Sequence, residues 1–363
     1  MSTLRRATDR DWPSIKKLFK RNNITGHLDS IVFNKYWFNA SDSDEWNVFL
    51  IEDKSSIMRG IMMVIEAPVL LFGDNCNIGW ISTGFVDGFH SNSNSNSTFG
   101  AQLYLTIYRK YDLVGALSGN DNSLPINTFL GNSVLGLSMV RHLFINCEDV
   151  FKICSKGRAF TLNDKSRLLH RENYELHKIS NMPSDYMDLW SSVKTNFDFI
   201  INKTSDYLKW RYIDSPFLDY DILEFRKGKK LIALIVTRIQ STRVGRALRV
   251  LDIIVEKKHA NNIVKEIGKF ASDNNYIFVD FFVIGSYFNE SFKDAGFYNS
   301  DDDDVTNNVP NLLSPIECRQ WSNSFHVGGL MMNDINWSSP ERILFTKGDG
   351  DRDWPTSHDI RLT

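Results

Sequence analysis

Between Ile78 and Asn122 the chain sets an apolar run, a run of small polar residues, a helix-forming segment and a second apolar run in immediate succession. Ile78 to Val86 leads into His90-Ser-Asn-Ser-Asn-Ser-Asn-Ser-Thr98-Phe99-Gly100, and Ala101 to Lys110 follows with helical composition. Leu113 to Leu117 then breaks into Ser118-Gly119-Asn120-Asp121-Asn122. A strand, a small-residue loop at a helix start and a second strand form an anion cradle. The first amides of a helix have no internal partners, and the macrodipole places positive potential there. The chemistry that fits is binding of a phosphorylated cofactor. A competing reading makes the Ser/Asn run a plain surface loop.

Other groups of residues point to less. Gly131 and Gly136, followed by Leu137 and Ser138, have the spacing of a nucleotide phosphate loop, but leucine stands where the lysine is needed. Asp349, Asp351 and Asp353 imitate the start of a calcium loop. Trp354 takes the place of its glycine and Ile360 that of its bidentate glutamate, so calcium is excluded. Asp301 to Asn311 reads as an acidic, solvated loop. The four cysteines (Cys76, Cys147, Cys154, Cys318) lack metal-site spacing and read as reduced thiols. No metal is expected. Trp210-Arg211-Tyr212 could clamp a nucleotide, with arginine on phosphate and aromatic faces on a base, or could be a buried aromatic helix.

The elements that must position these groups follow from patterning. At 363 residues, 42% hydrophobic and 24% charged, the chain suits two globular domains. A net charge of −2 argues against a general nucleic-acid binder. The polar start and the lack of a long apolar stretch imply a cytoplasmic protein without membrane insertion. In the first half, helices are expected at Trp12 to Asn22 and His27 to Phe38, and paired strands at Asn47 to Glu52 and Ser56 to Glu66. Strand Gly79 to Val86, helix Ala101 to Lys110, strand Leu113 to Leu117, a short helix Leu124 to Leu130 and a strand near Met139 to Ile145 complete it.

The second half repeats the order. Pro183 to Lys194 and Ser205 to Ile213 read as helices, Tyr220 to Arg226 and Lys230 to Arg238 as a hairpin, and Leu248 to Val255 as a strand. Helix Asn261 to Asn274, strand Tyr276 to Ile284 and helix Tyr287 to Ala295 follow. The repeat is one of pattern only.

This element order resembles the GCN5-related N-acetyltransferase superfamily, in which a central strand, a pyrophosphate loop and a helix bind acyl-coenzyme A. Thr98-Phe99-Gly100 falls on the glycine-rich end of that loop and Ser95 on its leading polar position, with only the last glycine kept. The resemblance implies an α/β fold of two such domains, each a mixed, mostly antiparallel sheet flanked by helices. Residues 1–155 would bind acyl-coenzyme A, 156–178 would connect, and 179–363 would be a degenerate copy whose tail contributes acceptor contacts. In the second copy, Lys257-Lys258-His259-Ala260-Asn261 has no glycine where backbone must approach a pyrophosphate. The Trp210-Arg211-Tyr212 segment, Pro216 and the tail from Thr346 to Pro355 look like parts of bacterial tandem acyltransferases acting on nucleotide-linked amino sugars, such as a dTDP-linked 3-amino-3,6-dideoxyhexose, in polysaccharide biosynthesis.

The resemblance also implies roles for residues. Amides of Thr83, Gly84, Phe85 and Val86 would hold the pantetheine, with Phe85 and Val86 polarising the thioester carbonyl. Ser97, Thr98, Phe99, Gly100 and Ala101 would hold the pyrophosphate, and Asn127 stands where many relatives carry a thiolate-protonating tyrosine. Asp121 is the candidate base, with Asp87 and His90 behind it. Asn120, Trp210, Arg211, Tyr212, Asp349, Asp351 and Trp354 are candidate acceptor contacts. A tandem Fem-type peptidyltransferase and a non-catalytic binding protein are the alternatives.

Overall fold

Runs of alternating apolar residues, cut by turn residues, build most of the strands. The computed structural model describes residues 2–22, 31–38, 44–87, 97–117, 133–154, 161–301, 305–313, 316–318, 324–329, 339–350 and 353. The first half runs β1 (Thr3–Ala7), α1 (Trp12–Arg21), α2 (Ile31–Trp37), β2 (Trp46–Glu52), β3 (Met58–Leu71), β4 (Asp74–Val86), α3 (Ser97–Lys110), β5 (Leu113–Leu117), β6 (Ser133–Ser138) and β7 (Val140–Ile145). The second half begins with β8 (Glu175–Ile179), α4 (Tyr186–Lys194), β9 (Phe199–Ile201), and α5 (Ser205–Leu208), which a π turn continues to Ile213. It proceeds through β10 (Asp221–Lys227), β11 (Lys230–Thr242), β12 (Gly245–Val255), α6 (Lys257–Asp273), β13 (Phe278–Ile284) and α7 (Asn289–Asp294). Short β14 (Tyr298–Asn299), α8 (Val305–Asn308), β15 (Leu312–Leu313) and β16 (Ile316–Glu317) precede β17 (Ser324–Gly328) and β18 (Ile343–Thr346).

The order read from the sequence is present in both halves, with corrections. The segment expected to be a mere connector ends in β8, which pairs antiparallel with β10 at the sheet edge. Its five half-exposed residues carry too weak an alternation to stand out from a loop. The segment expected as a solvated acidic loop contains the short helix α8: Asp301 and Asn307 are exposed, but Val309 is buried. The expected helix at Leu124 to Leu130 lies outside the described residues.

Helices lie where one face is apolar. On α6, Ala260, Ile263, Val264, Ile267, Gly268 and Ala271 are buried at spacings of three and four. Each large apolar side chain so buried contributes roughly 1.5–3 kcal/mol. Gly268 must be small, because a Cβ there would stand 2.6 Å from Leu168 Cδ2. Strands β3 and β4 form a long hairpin closed by Phe72 (φ 51) and Gly73 (φ 90), both left-handed as a two-residue turn requires.

Among the described residues, all strands but the β15–β16 pair join one sheet of sixteen strands. Each half contains one parallel contact that lasts three residues: Ile78–Trp80 of β4 on Leu113–Gly115 of β5, and Leu248–Val250 of β12 on Val279–Phe281 of β13. The halves also exchange strands. First-half β7 lies between β13 and β14, whereas β17, from near the C-terminal end, lies between β5 and β6. Hydrogen bonding therefore crosses the division at residue 155 in both directions. Between the halves, β9 pairs with β3 and β18, and β18 pairs with β13.

Candidate functional site

Past Trp80 and Gly115, β4 and β5 part. Their closeness up to that point depends on two glycines: a Cβ on Gly79 would stand 2.3 Å from the Tyr111 ring, and one on Gly115 2.5 Å from the Trp80 ring. Beyond the parting, β4 continues to Val86 with β3 on one edge. Among the described residues no strand pairs with the other edge of residues 82–86. In an antiparallel ladder alternate residues direct their N–H and C=O groups away from the partner, so this edge presents open amides. A register shift between Met63 and Val64 leaves Ser82 as the extra residue of a bulge, which turns the edge outward. The Ser82 hydroxyl is buried and has no hydrogen-bond partner.

Helix α3 starts against the end of this edge. A Cβ on Gly100 would lie 3.8 Å from Val86 Cγ2, ordinary contact distance, and Phe99 packs on the same apolar cluster as Val86, Leu103 and Tyr104. The start of a fourteen-residue helix, whose first amides have no acceptor within the helix itself, is thus brought against Val86 at the end of the edge. Thr98 is exposed, and Phe99, Gly100 and Ala101 are half-buried. Phe85 leans the other way, its ring 5.8 Å from that of Phe19 on α1. Asp87 pairs with Arg21 at 3.1 Å and Arg59 at 3.4 Å, so it is an ion-pair member and not a free base. His90, Asn120, Asp121 and Asn127 lie outside the described residues, as do Asp351 and Trp354.

The corresponding opening in the second half is filled. Where β12 and β13 part, the turn after β18 enters: Lys347 N donates to Phe282 O (3.0 Å) and Gly348 N to Leu251 O (3.3 Å). Asp349 Oδ2 accepts from Thr346 N at 2.8 Å and Thr346 Oγ1 at 3.1 Å, which closes the turn. Beneath it, Lys203 bridges Asp252 (2.5 Å) and Asp349 (2.7 Å), all three buried. Tyr212 Oη donates to Asp252 at 3.1 Å. Burial pushes the Asp349 carboxyl up to about 6, against the opposing pull of Lys203. Gly348 and Gly285 are the close approaches: a Cβ would stand 2.0 Å from Tyr212 Oη at the first and 1.8 Å from Ile343 O at the second.

This geometry gives four of the expected acceptor contacts an internal setting. Arg211, Tyr212 and Asp349 are buried, and Trp210 is half-buried in an aromatic group with Tyr36, Trp37 and Tyr207. Arg211 Nε donates to Gly348 O at 2.8 Å, and its guanidinium lies 4.0 Å from the centre of the Trp37 ring. These side chains hold the tail against both halves, which is the buried-helix reading of Trp210-Arg211-Tyr212. Lys203 and Asp252 were not legible in the sequence, because they meet the tail only in three dimensions.

A second feature missed in the sequence is on β17. Ser324 Oγ and His326 Nε2 are 2.8 Å apart, and His326 Nδ1 is buried without a partner. Burial lowers the His326 pKa below its ordinary value. His326 is in register with Ala116 of β5, beside the parting of the strands. All four cysteines are free thiols. Among the described residues no group of His, Cys, Asp and Glu is placed to hold a metal ion, and no helix is long and apolar enough to cross a membrane.

A mixed sheet whose central strands part beside a helix start, present twice, defines the GCN5-related N-acetyltransferase-like fold. Solved structures agree. A conserved protein of unknown function from Enterococcus faecalis, described as a probable N-acyltransferase, is similar over 90% of this chain and 72% of its own (TM-score 0.59, 7% identity). A GCN5-related N-acetyltransferase from Anabaena variabilis is similar over the same shares (TM-score 0.54, 10% identity). The Saccharomyces cerevisiae N-myristoyltransferase with bound myristoyl-CoA is similar over 100% of this chain and 89% of its own (TM-score 0.51, 8% identity). No protein-family model and no curated protein matches the sequence.

Proposed function

We propose that this protein is an acyl-coenzyme A-dependent N-acyltransferase whose first half holds the cofactor. One observation carries the reading: the outer edge of β4 from Ser82 to Val86 has no strand partner among the described residues, and the start of α3 abuts its end. Strand amides suit the pantetheine and polarise the thioester carbonyl, with Phe85 and Val86 the candidate donors. The first amides of α3, from Ser97 to Ala101, suit the pyrophosphate.

In the reaction, the neutral acceptor amine attacks the thioester carbonyl, the C–S bond breaks and an amide forms. The amine loses its proton to water or to Asp121, and the coenzyme A thiolate gains one from solvent. An amino-sugar ammonium titrates near an α-amino group, at about 8, so no strong base is required. The favoured acceptor is the amino group of a nucleotide-linked amino sugar, of the dTDP-linked 3-amino-3,6-dideoxyhexose type, and Asn120, Asp351 and Trp354 remain candidate contacts to it.

Thiol release across acyl-coenzyme A donors and dTDP- or UDP-linked amino sugars tests the reaction, and calorimetry tests the cofactor. One coenzyme A per chain with turnover on one pair is expected. Coenzyme A binding without turnover on any pair would overturn the acceptor class. Absence of coenzyme A binding would overturn the enzyme reading and leave a binding protein.

A further inference from the structure

The face of the second-half sheet that carries the tail turn holds a dense set of cations. Arg141 from β7 and Arg249 from β12 both grip Asp280 of β13: Arg141 Nη2 lies 2.7 Å from Oδ2 and Arg249 Nε 2.6 Å from Oδ1. Their remaining donors reach backbone carbonyls of Val309, Pro310 and Asn311 and the Gln240 side chain. Arg238 of β11 lies 3.0 Å from Asp353, which also accepts from Tyr220 Oη at 2.8 Å. Both described carboxylates are therefore engaged.

Lys347 sits among Arg249, Arg238, Asp280 and Asp353 and is 5% exposed. Among the described residues its ammonium has no hydrogen-bond or ion-pair partner, and the face of the Phe282 ring lies 5.3 Å away. Arg211, also in the field of Asp353, has its Nη1 buried without a hydrogen-bond partner among the described residues. Two cationic donors thus lack acceptors where nearby carboxylates are already engaged. A buried charge without a partner is strongly disfavoured, so Lys347 is held either uncharged or with an anion. Burial, with Arg249 beside it, lowers its pKa to about 7, close to the point where an arriving anion would restore the proton.

The position also matters. Gly350 is three positions after Lys347, at most about 11 Å of extended chain. A Cβ on Gly350 would stand 3.0 Å from Trp80 Nε1, two residues before the open edge of β4 begins. A group bound at Lys347 is therefore one short turn from the candidate acyl site.

We propose that Lys347, in the field of Arg238 and Arg249, receives a phosphoryl oxyanion of the acyl acceptor. The assignment to the acceptor rests on the acyltransfer reading; the anion site itself does not. An ammonium on a flexible stem suits a phosphoryl oxygen as a point charge, whereas the flanking guanidiniums, fixed on Asp280 and Asp353, supply field.

Cyanate, a small reagent for uncharged amines, tests this on the native chain at pH 7, with carbamylation of each lysine read by peptide mass spectrometry. Lys347 is expected to label faster than surface lysines, and millimolar inorganic pyrophosphate to slow it at least tenfold. Lys347→Met is expected to weaken pyrophosphate-dependent thermal stabilisation while coenzyme A calorimetry stays unchanged. Equal labelling of Lys347 with and without pyrophosphate would overturn the site, whatever the variant does. Coenzyme A binding without protection sinks the anion site and spares acyl transfer; protection without coenzyme A binding does the reverse. Site-resolved labelling separates Lys347 from pyrophosphate bound at the start of α3.

Discussion

The two halves share an element order and differ in what occupies the gap between their central parallel strands. In the first half, β4 and β5 part and leave residues 82–86 with an open edge among the described residues. In the second, the turn at 346–349 bonds both β12 and β13, and Lys203 fastens it between Asp252 and Asp349. The difference teaches how one fold can supply both a ligand site and a scaffold. The same parting of strands leaves backbone groups open, and in the second half the chain's own tail fills the gap by donating its amides to Phe282 O and Leu251 O. The exchange of β7 and β17 reinforces this, since neither half completes its sheet without the other.

The strongest way to break the comparison is to cut the fastening of the tail. Lys203→Met leaves Asp252 and Asp349 buried and uncompensated, a loss of about 3–5 kcal/mol. Urea unfolding measures it, and a loss under about 1 kcal/mol would mean that the ion cluster does not hold the tail. Next, Gly100→Asp places a carboxylate at the start of α3, where an anionic pyrophosphate is proposed. Coenzyme A affinity is expected to fall at least tenfold with unchanged folding. His259→Asp, at the start of α6, should leave it unaltered; calorimetry that finds equal effects would erase the asymmetry between the halves.

A smaller effect sharpens the account of the tail turn. The folded pKa of Lys347 is lowered to about 7, by burial first and then by Arg249 and Arg238, against the pull of Asp353 and Asp280. Between that value and the unfolded lysine value of about 10.4, the unfolded chain binds more protons. Stability contributed by this group is therefore fully present above the unfolded value and is lost as pH falls toward 7. The slope is at most about 1.4 kcal/mol per pH unit. Lys347→Met should remove that rise between pH 7 and 9 in denaturant titrations, and an identical slope would refute the assignment. Smallest of all, Ser82→Ala deletes a buried hydroxyl without a partner, and should leave stability equal or raise it by about 1 kcal/mol.

Much of the layout could be read before the structure. The strand from Leu113 to Leu117 and helix α1 fall within a residue of their expected bounds, because their apolar periodicity is local. The doubled order of elements was legible for the same reason. Short strands β8, β9, β17 and β18 were not, since their three to five residues carry too little pattern and are strands only because neighbours pair with them. At the site, the adjacency of Val86 and Gly100 followed from strand leading into helix. The burial of Arg211, Tyr212 and Asp349 did not, because an arginine beside two aromatics reads the same on a surface and in a core.

The sequence by itself determined the α/β class, the two-fold pattern, and the polar loop that carries one central strand into a helix, all set by spacing along the chain. Only the tertiary structure decided that the tail closes the second gap, that β7 and β17 change places, and that Lys347 has no acceptor among the described residues. Those outcomes depend on residues far apart in the chain, such as Lys203 and Asp349 or Arg141 and Asp280. Local periodicity carries no information on such pairings; burial and the need to partner each buried polar group decide them.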